Sequence, residues 1–137
     1  MPIITVSLAN SICSSQDKQQ AIKRVAERLT ESTVRVLRKN RELIVVRFSP
    51  LEDAEHWFVA GKPLRAQDGP ISEVNIKITD GTNQKDEISA WIREAFETLI
   101  QELGESVGPN YVSVNDLCKN KWGYDGITQY GREMWAS

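Results

Sequence analysis

Cysteine and histidine are scarce in this chain. Cys13 and Cys118 lie far apart and match no metal-ligand spacing, and His56 is the single histidine. A metal centre and a disulfide framework are therefore not expected, and the thiols read as reduced side chains of a cytoplasmic protein. Long apolar runs are missing too. None approaches the roughly 18 residues that a membrane span needs. The opening MPIITVSLAN lacks the basic start and long apolar stretch of a signal peptide. Charge of one sign is also lacking. The formal net charge is −2, which gives no bulk attraction to nucleic acid. The basic residues from Arg35 to Arg41 are a local cluster, and the strands carry no aromatic signature for stacking RNA bases. Neither a nucleic acid nor a membrane is expected as a partner.

What is present is 137 residues, enough for one domain, 1–137, with a core that needs neither metal nor disulfide. Residues 3–8 are β-branched and place Ile4, Val6 and Leu8 on one face, a strand pattern. Ser14 with Asp17 fits a capping box. Ile22, Val25, Ala26, Leu29 and Val36 then keep helical spacing to about Leu37. Residues 43–48 predict a second strand. Its continuous apolar start, Leu43-Ile44-Val45-Val46, implies burial on both faces, as in a parallel sheet. Residues 50–71 hold Pro50, Gly61, Pro63, Gly69 and Pro70 and read as an irregular arm with a short strand near Trp57-Phe58-Val59.

The pattern then repeats. Val74, Ile76 and Ile78 alternate with polar residues in a third strand, and Asp80-Gly81-Thr82-Asn83 is a turn with a helix cap. Ile88, Trp91, Ile92, Ala95, Leu99 and Leu103 form a second amphipathic helix that Gly104 stops. Residues 111–114 predict a fourth strand, and 115–126 a loop. Ile22 matches Ile88, and Trp57-x-x-x-Gly61 matches Trp122-x-x-x-Gly126 at nearly the same offset. An internal duplication explains this order. Unit one covers about 2–64, unit two about 72–130, and 131–137 is a C-terminal tail. Each unit needs a right-handed crossover between parallel strands. The expected fold is α+β: an α/β sandwich of two tandem β-α-β units, with a four-stranded mixed sheet and two helices on one face. The other face would then expose isoleucine or valine, each worth about 1.5–3 kcal/mol when buried. A second subunit is expected to cover it.

A chain that opens Met-Pro-Ile-Ile and continues strand, helix, strand resembles the tautomerase superfamily. Its members include 4-oxalocrotonate tautomerase, macrophage migration inhibitory factor, malonate semialdehyde decarboxylase and the 3-chloroacrylic acid dehalogenases. The run Pro109-Asn110-Tyr111-Val112-Ser113-Val114-Asn115-Asp116-Leu117, followed by Trp122-Gly123-Tyr124, looks like the second strand and hairpin of these proteins. The resemblance spans about residues 2–130 in two copies. It implies a homotrimer of fused units, sites at the edges between neighbouring units, and no cofactor.

The resemblance also implies a role for Pro2. Removal of Met1 frees a secondary amine, which can act as base or nucleophile. An ordinary α-amino group has a pKa of about 7.7–8.0. A dry site and a nearby cation lower that value toward the working pH, where a base shuttles protons best. Relatives hold acidic substrates with arginines just after the first strand of a unit. Here the matching stretches are Asn10-Ser11-Ile12 and Thr79-Asp80-Gly81-Thr82, which hold none. That departure argues against the usual dicarboxylates. Arg47, Lys39 and Lys77 are the substitute cations, Lys39 because migration inhibitory factor carries a lysine at the matching place. Tyr111 stands where relatives place an aromatic near the proline, and its hydroxyl could donate to a developing enolate. Trp57 and Trp122 match an aromatic wall. Asp125 fits either a water-activating carboxylate or a turn, and His56 reads as a surface residue. Ser72 takes the place of Pro2 in unit two, so one proline site per chain is expected.

The expected activity is keto-enol tautomerisation of a small 2-oxo or 2-hydroxydienoate acid, with Pro2 as base. The alternatives are a proline-dependent hydratase, dehalogenase or decarboxylase of the same superfamily, and a catalytically weak trimeric binding protein.

Overall fold

A computed structural model of the chain describes residues 1–9, 15–49, 56–105 and 108–136. In order they form β1 (Ile3–Ala9), α1 (Ser15–Arg35), β2 (Val45–Phe48), β3 (Phe58–Val59), β4 (Lys62–Pro63), β5 (Ile71–Thr79), α2 (Lys85–Leu103), β6 (Tyr111–Leu117), β7 (Gly123–Tyr124), β8 (Ile127–Thr128) and α3 (Gln129–Ala136). The main sheet has the order β2-β1-β5-β6. β1 runs parallel to β2 and β5 parallel to β6, while β1 and β5 are antiparallel at the centre. Two β-α-β units thus stand back to back in one mixed sheet, an α+β fold.

Strand alternation decides which side is core. Ile4 and Val6 of β1 and Val74, Ile76 and Ile78 of β5 are fully buried and face the helices. Helical spacing does the same for Ala21, Val25 and Leu29 of α1 and for Trp91, Ala95, Leu99 and Leu103 of α2. Where the helices meet, the Trp91 indole N–H donates to Thr33 Oγ1 at 3.0 Å, and the Thr33 hydroxyl donates to the Leu29 carbonyl at 2.6 Å. This buried polar group is therefore satisfied and costs the core little. At the start of α2, Glu87 accepts from the Gln84 N–H at 2.8 Å. Gly104 ends α2 with φ of 104°, in the left-handed region that favours glycine.

The structure corrects several expectations. Residues 41–43 form a 3-10 turn, and β2 starts only at Val45. β2 is also an edge strand, so it is not buried on both faces: Val45 is 52% exposed and Arg47 is exposed. Its apolar run was misleading because part of it belongs to the turn. The cap of α2 is Gln84, one residue beyond the expected turn. β6 runs three residues past the expected end, to Leu117. The expected loop 115–126 contains β7, and the tail 131–137 lies mostly in a third helix, α3. The helix-free sheet face is mainly polar, with Thr5, Ser7, Asn75, Ser113 and Asn115, so the apolar case for covering it rests on Ile3, Val45 and Tyr111. The proposed cap Ser14, Cys13 and the stretch Asn10-Ser11-Ile12 lie outside the described residues.

Candidate active site

The antiparallel centre puts the start of β1 beside the end of β5. Ile3 pairs with Lys77, so one further step sets Pro2 opposite Ile78. Pro2 is buried, and its carbonyl accepts from the Val45 N–H at 3.3 Å, which fixes it against β2. On the other side of Ile78, β6 contributes Asp116 in register.

The end of α1 completes this corner. Arg38 takes a left-handed conformation, φ 57°, and the Lys39 N–H donates back to the Thr33 carbonyl at 3.3 Å. The turn sends the Lys39 side chain toward the loop between β5 and α2. There Nζ donates to Thr82 Oγ1 at 2.8 Å, while the Thr82 hydroxyl donates to the Thr79 carbonyl at 2.6 Å. Asn83 Nδ2 donates to the Leu37 carbonyl at 3.0 Å and ties the same loop to α1.

The electrostatics follow from this packing. The amine of Met1 has its pKa held below the ordinary value, first by burial and then by the positive charge of Lys39. Lys39 is itself lowered, chiefly by burial and then by Arg38, against the opposing pull of Glu87 and Asp116. Among the described residues no carboxylate lies within ion-pair distance of Lys39. Its neighbour Glu87 is instead engaged by Arg38 at 2.9 Å. Lys39 is thus a half-buried cation with a neutral hydroxyl as partner, next to the chain's free amine.

Trp122 lies against the end of β5. Its indole N–H donates to Thr79 Oγ1 at 3.2 Å. The following β7–β8 hairpin turns at Asp125 and Gly126, both left-handed at φ 51° and 82°, as a two-residue hairpin loop requires. Asp125 is therefore a turn residue, and it is exposed. A side chain at Gly123 would meet the Ile127 carbonyl at 2.0 Å, so the tight hairpin demands glycine there.

Of the candidates, Pro2 and Lys39 come together at this end, while Trp122 bonds the side chain of Thr79, which alternates to the other sheet face. Tyr111 does not join them. It pairs with Glu73, about five residues and 17 Å along the sheet from Pro2, at the opposite end of the same chain. Trp57 is also at that far end, packed on Ala9, Leu64 and Ile71. Its indole N–H has no partner among the described residues, because Ala9 stands where unit two has Thr79. Lys77 lies near Pro2 in register but is exposed on the helix-free face. Arg47 shares that face, opposite Thr5 on the edge strand. His56 is exposed, as expected. Sequence reasoning missed Thr82, Thr79 and Asp116. Asp116 continues the alternation of Val112 and Val114, a signal visible once β6 is allowed to run to its full length.

No protein-family model and no curated protein matches the sequence. Solved structures do. A fused 4-OT symmetric trimer aligns with a TM-score of 0.79 at 16% identity, over 95% of this chain and 98% of that one. Pt0534 inactivated by 2-oxo-3-pentynoate aligns at 0.77 and 19% identity, over 93% and 97%. A macrophage migration inhibitory factor-like protein from Entamoeba histolytica aligns at 0.68 and 19% identity, over 93% and 97%. The chain has the tautomerase fold. The agreement covers both β-α-β units of that fold.

Among the described residues no group of histidine, cysteine, aspartate or glutamate is arranged to hold a metal ion, and Cys118 is a free, exposed thiol. No helix among them is long and apolar enough to cross a membrane.

Proposed function

We propose that this protein is a cofactor-independent tautomerase of a small 2-oxo or 2-hydroxydienoate acid, with Pro2 as the base after removal of Met1. One observation carries the reading: the chain's amino end is packed at the start of the central strand β1 beside Lys39, a half-buried cation that no carboxylate among the described residues neutralises. Burial and the Lys39 charge both favour an unprotonated amine, the form that accepts a proton. Lys39 has donor capacity left for a substrate carboxylate after its bond to Thr82. The Pro2 nitrogen takes the proton from an enol hydroxyl or an adjacent carbon and returns it at the other carbon. The likeness to fused 4-OT trimers supports a homotrimer, and in this reading Tyr111 and Trp57 reach a proline site only from a neighbouring subunit. A cytoplasmic location goes with the same proposal.

The test has two parts. Intact-mass measurement should show the chain without Met1. An ultraviolet assay should then show faster ketonisation of phenylenolpyruvate or 2-hydroxymuconate than buffer gives. Pro2→Ala should lose about 100-fold or more, the scale of a general base. Retained Met1, or a wild type no faster than buffer on either acid, refutes the reading.

A further inference from the structure

We propose that Asp116 sets this site for acids bearing a single carboxylate and rejects diacids by charge. The inference rests on the tautomerase reading of the same corner and names its substrate class.

Pro2, Ile78 and Asp116 form one row across β1, β5 and β6. Ile78 is fully buried toward the helices, and Asp116 follows Val112 and Val114 on that same face. Two strand spacings separate the ends of the row, about 10 Å. Lys39 lies within electrostatic reach of the amino end and of Asp116. A small acid anchored on Lys39 with its reacting carbon at Pro2 therefore lies on the sheet face that Asp116 shares, within its electrostatic reach. One carboxylate finds a cation. A second finds the Asp116 charge, with the exposed Asp80 close by at the end of β5.

Among the described residues, several cations of this end of the molecule are already engaged. Arg38 is held by Glu87, Arg41 by Glu31 at 2.5 Å, and Lys119 by Glu133 at 3.0 Å. Lys85 and Lys121 are exposed, and Lys77 stands on the opposite sheet face. Like charges about 10 Å apart, at the effective dielectric of about 20 typical near a protein surface, discriminate by about an order of magnitude.

The experiment compares kcat/KM for phenylenolpyruvate and 2-hydroxymuconate in wild type, Asp116→Asn and Asp116→Glu. Asp116 is exposed, so both variants should fold, which circular dichroism checks. Wild type should favour the monoacid. Asp116→Asn should raise the diacid-to-monoacid ratio about tenfold, and Asp116→Glu should keep the wild-type ratio. Added salt should raise that ratio in wild type but not in Asp116→Asn. An Asn ratio within about twofold of wild type, in a wild type that does ketonise, overturns the inference alone. A wild type inert on both acids removes the tautomerase reading and this inference with it.

Discussion

Replacing Lys39 with methionine separates its service to the site from its effect on the fold. The methionine keeps most of the buried stem and deletes the ammonium that bonds Thr82 at 2.8 Å. A hydrogen bond to a charged group is worth about 1.5–3 kcal/mol, so losing the one to substrate should lower kcat/KM about 10- to 150-fold. The pH profile gives a sharper reading. After burial, the Lys39 charge lowers the pKa of the Met1 amine; the same field would act on the Pro2 nitrogen freed by loss of Met1, so its removal should raise that nitrogen's pKa. The base works unprotonated, and the acidic limb of kcat/KM should therefore move to higher pH. Lys39→Arg, which retains the charge, should leave the limb nearly in place. Stability should respond in the opposite sense. The pKa of Lys39 in the fold lies below its ordinary 10.5. Between those two values the unfolded chain binds more protons, so stability rises with pH through that window. Below it, at neutral pH, the buried charge is a full cost, and Lys39→Met should unfold at no lower urea concentration than wild type. An unmoved acidic limb in Lys39→Met, with kcat/KM within about twofold of wild type, would refute the assignment.

Two further changes test the scaffold. Thr79 is 5% exposed and accepts the Trp122 indole N–H, so Thr79→Val should cost about 1 kcal/mol in urea unfolding and alter the near-ultraviolet circular dichroism of the tryptophans. An unchanged midpoint would mean that water or another group satisfies Trp122. Glu102 pairs with Arg24 at 2.9 Å and Arg28 at 3.7 Å across the helices, yet the two arginine side chains are 50% and 39% exposed. Glu102→Gln should cost less than about 1 kcal/mol. A loss above about 2 kcal/mol would show that this helix–helix surface is less solvated than its geometry implies.

Much of the fold was legible before any coordinates. Alternation in Ile4, Val6, Val74, Ile76 and Ile78, and helical spacing in Val25, Leu29, Trp91, Ala95 and Leu99, are local periodicities that report which face is buried. The match of Trp57-x-x-x-Gly61 to Trp122-x-x-x-Gly126 exposed the duplication because hairpins repeat their turn chemistry. β2 misled because an apolar run carries no information on whether a neighbouring strand lies beyond it. β7, β8 and α3 escaped because short elements owe their existence to tertiary packing more than to pattern.

Within the candidate site, Pro2 and Lys39 were named from sequence, but their meeting was not a sequence property. Residue type and spacing determined the two β-α-β units, their helical faces and the single internal repeat. Only the tertiary structure decided that β1 and β5 run antiparallel. That pairing places Pro2 beside Ile78, Asp116 and Lys39 and puts Tyr111 and Trp57 at the other end. The physical reason is that periodicity is set by neighbours a few residues apart, whereas strand direction is set by burying two units' apolar faces together.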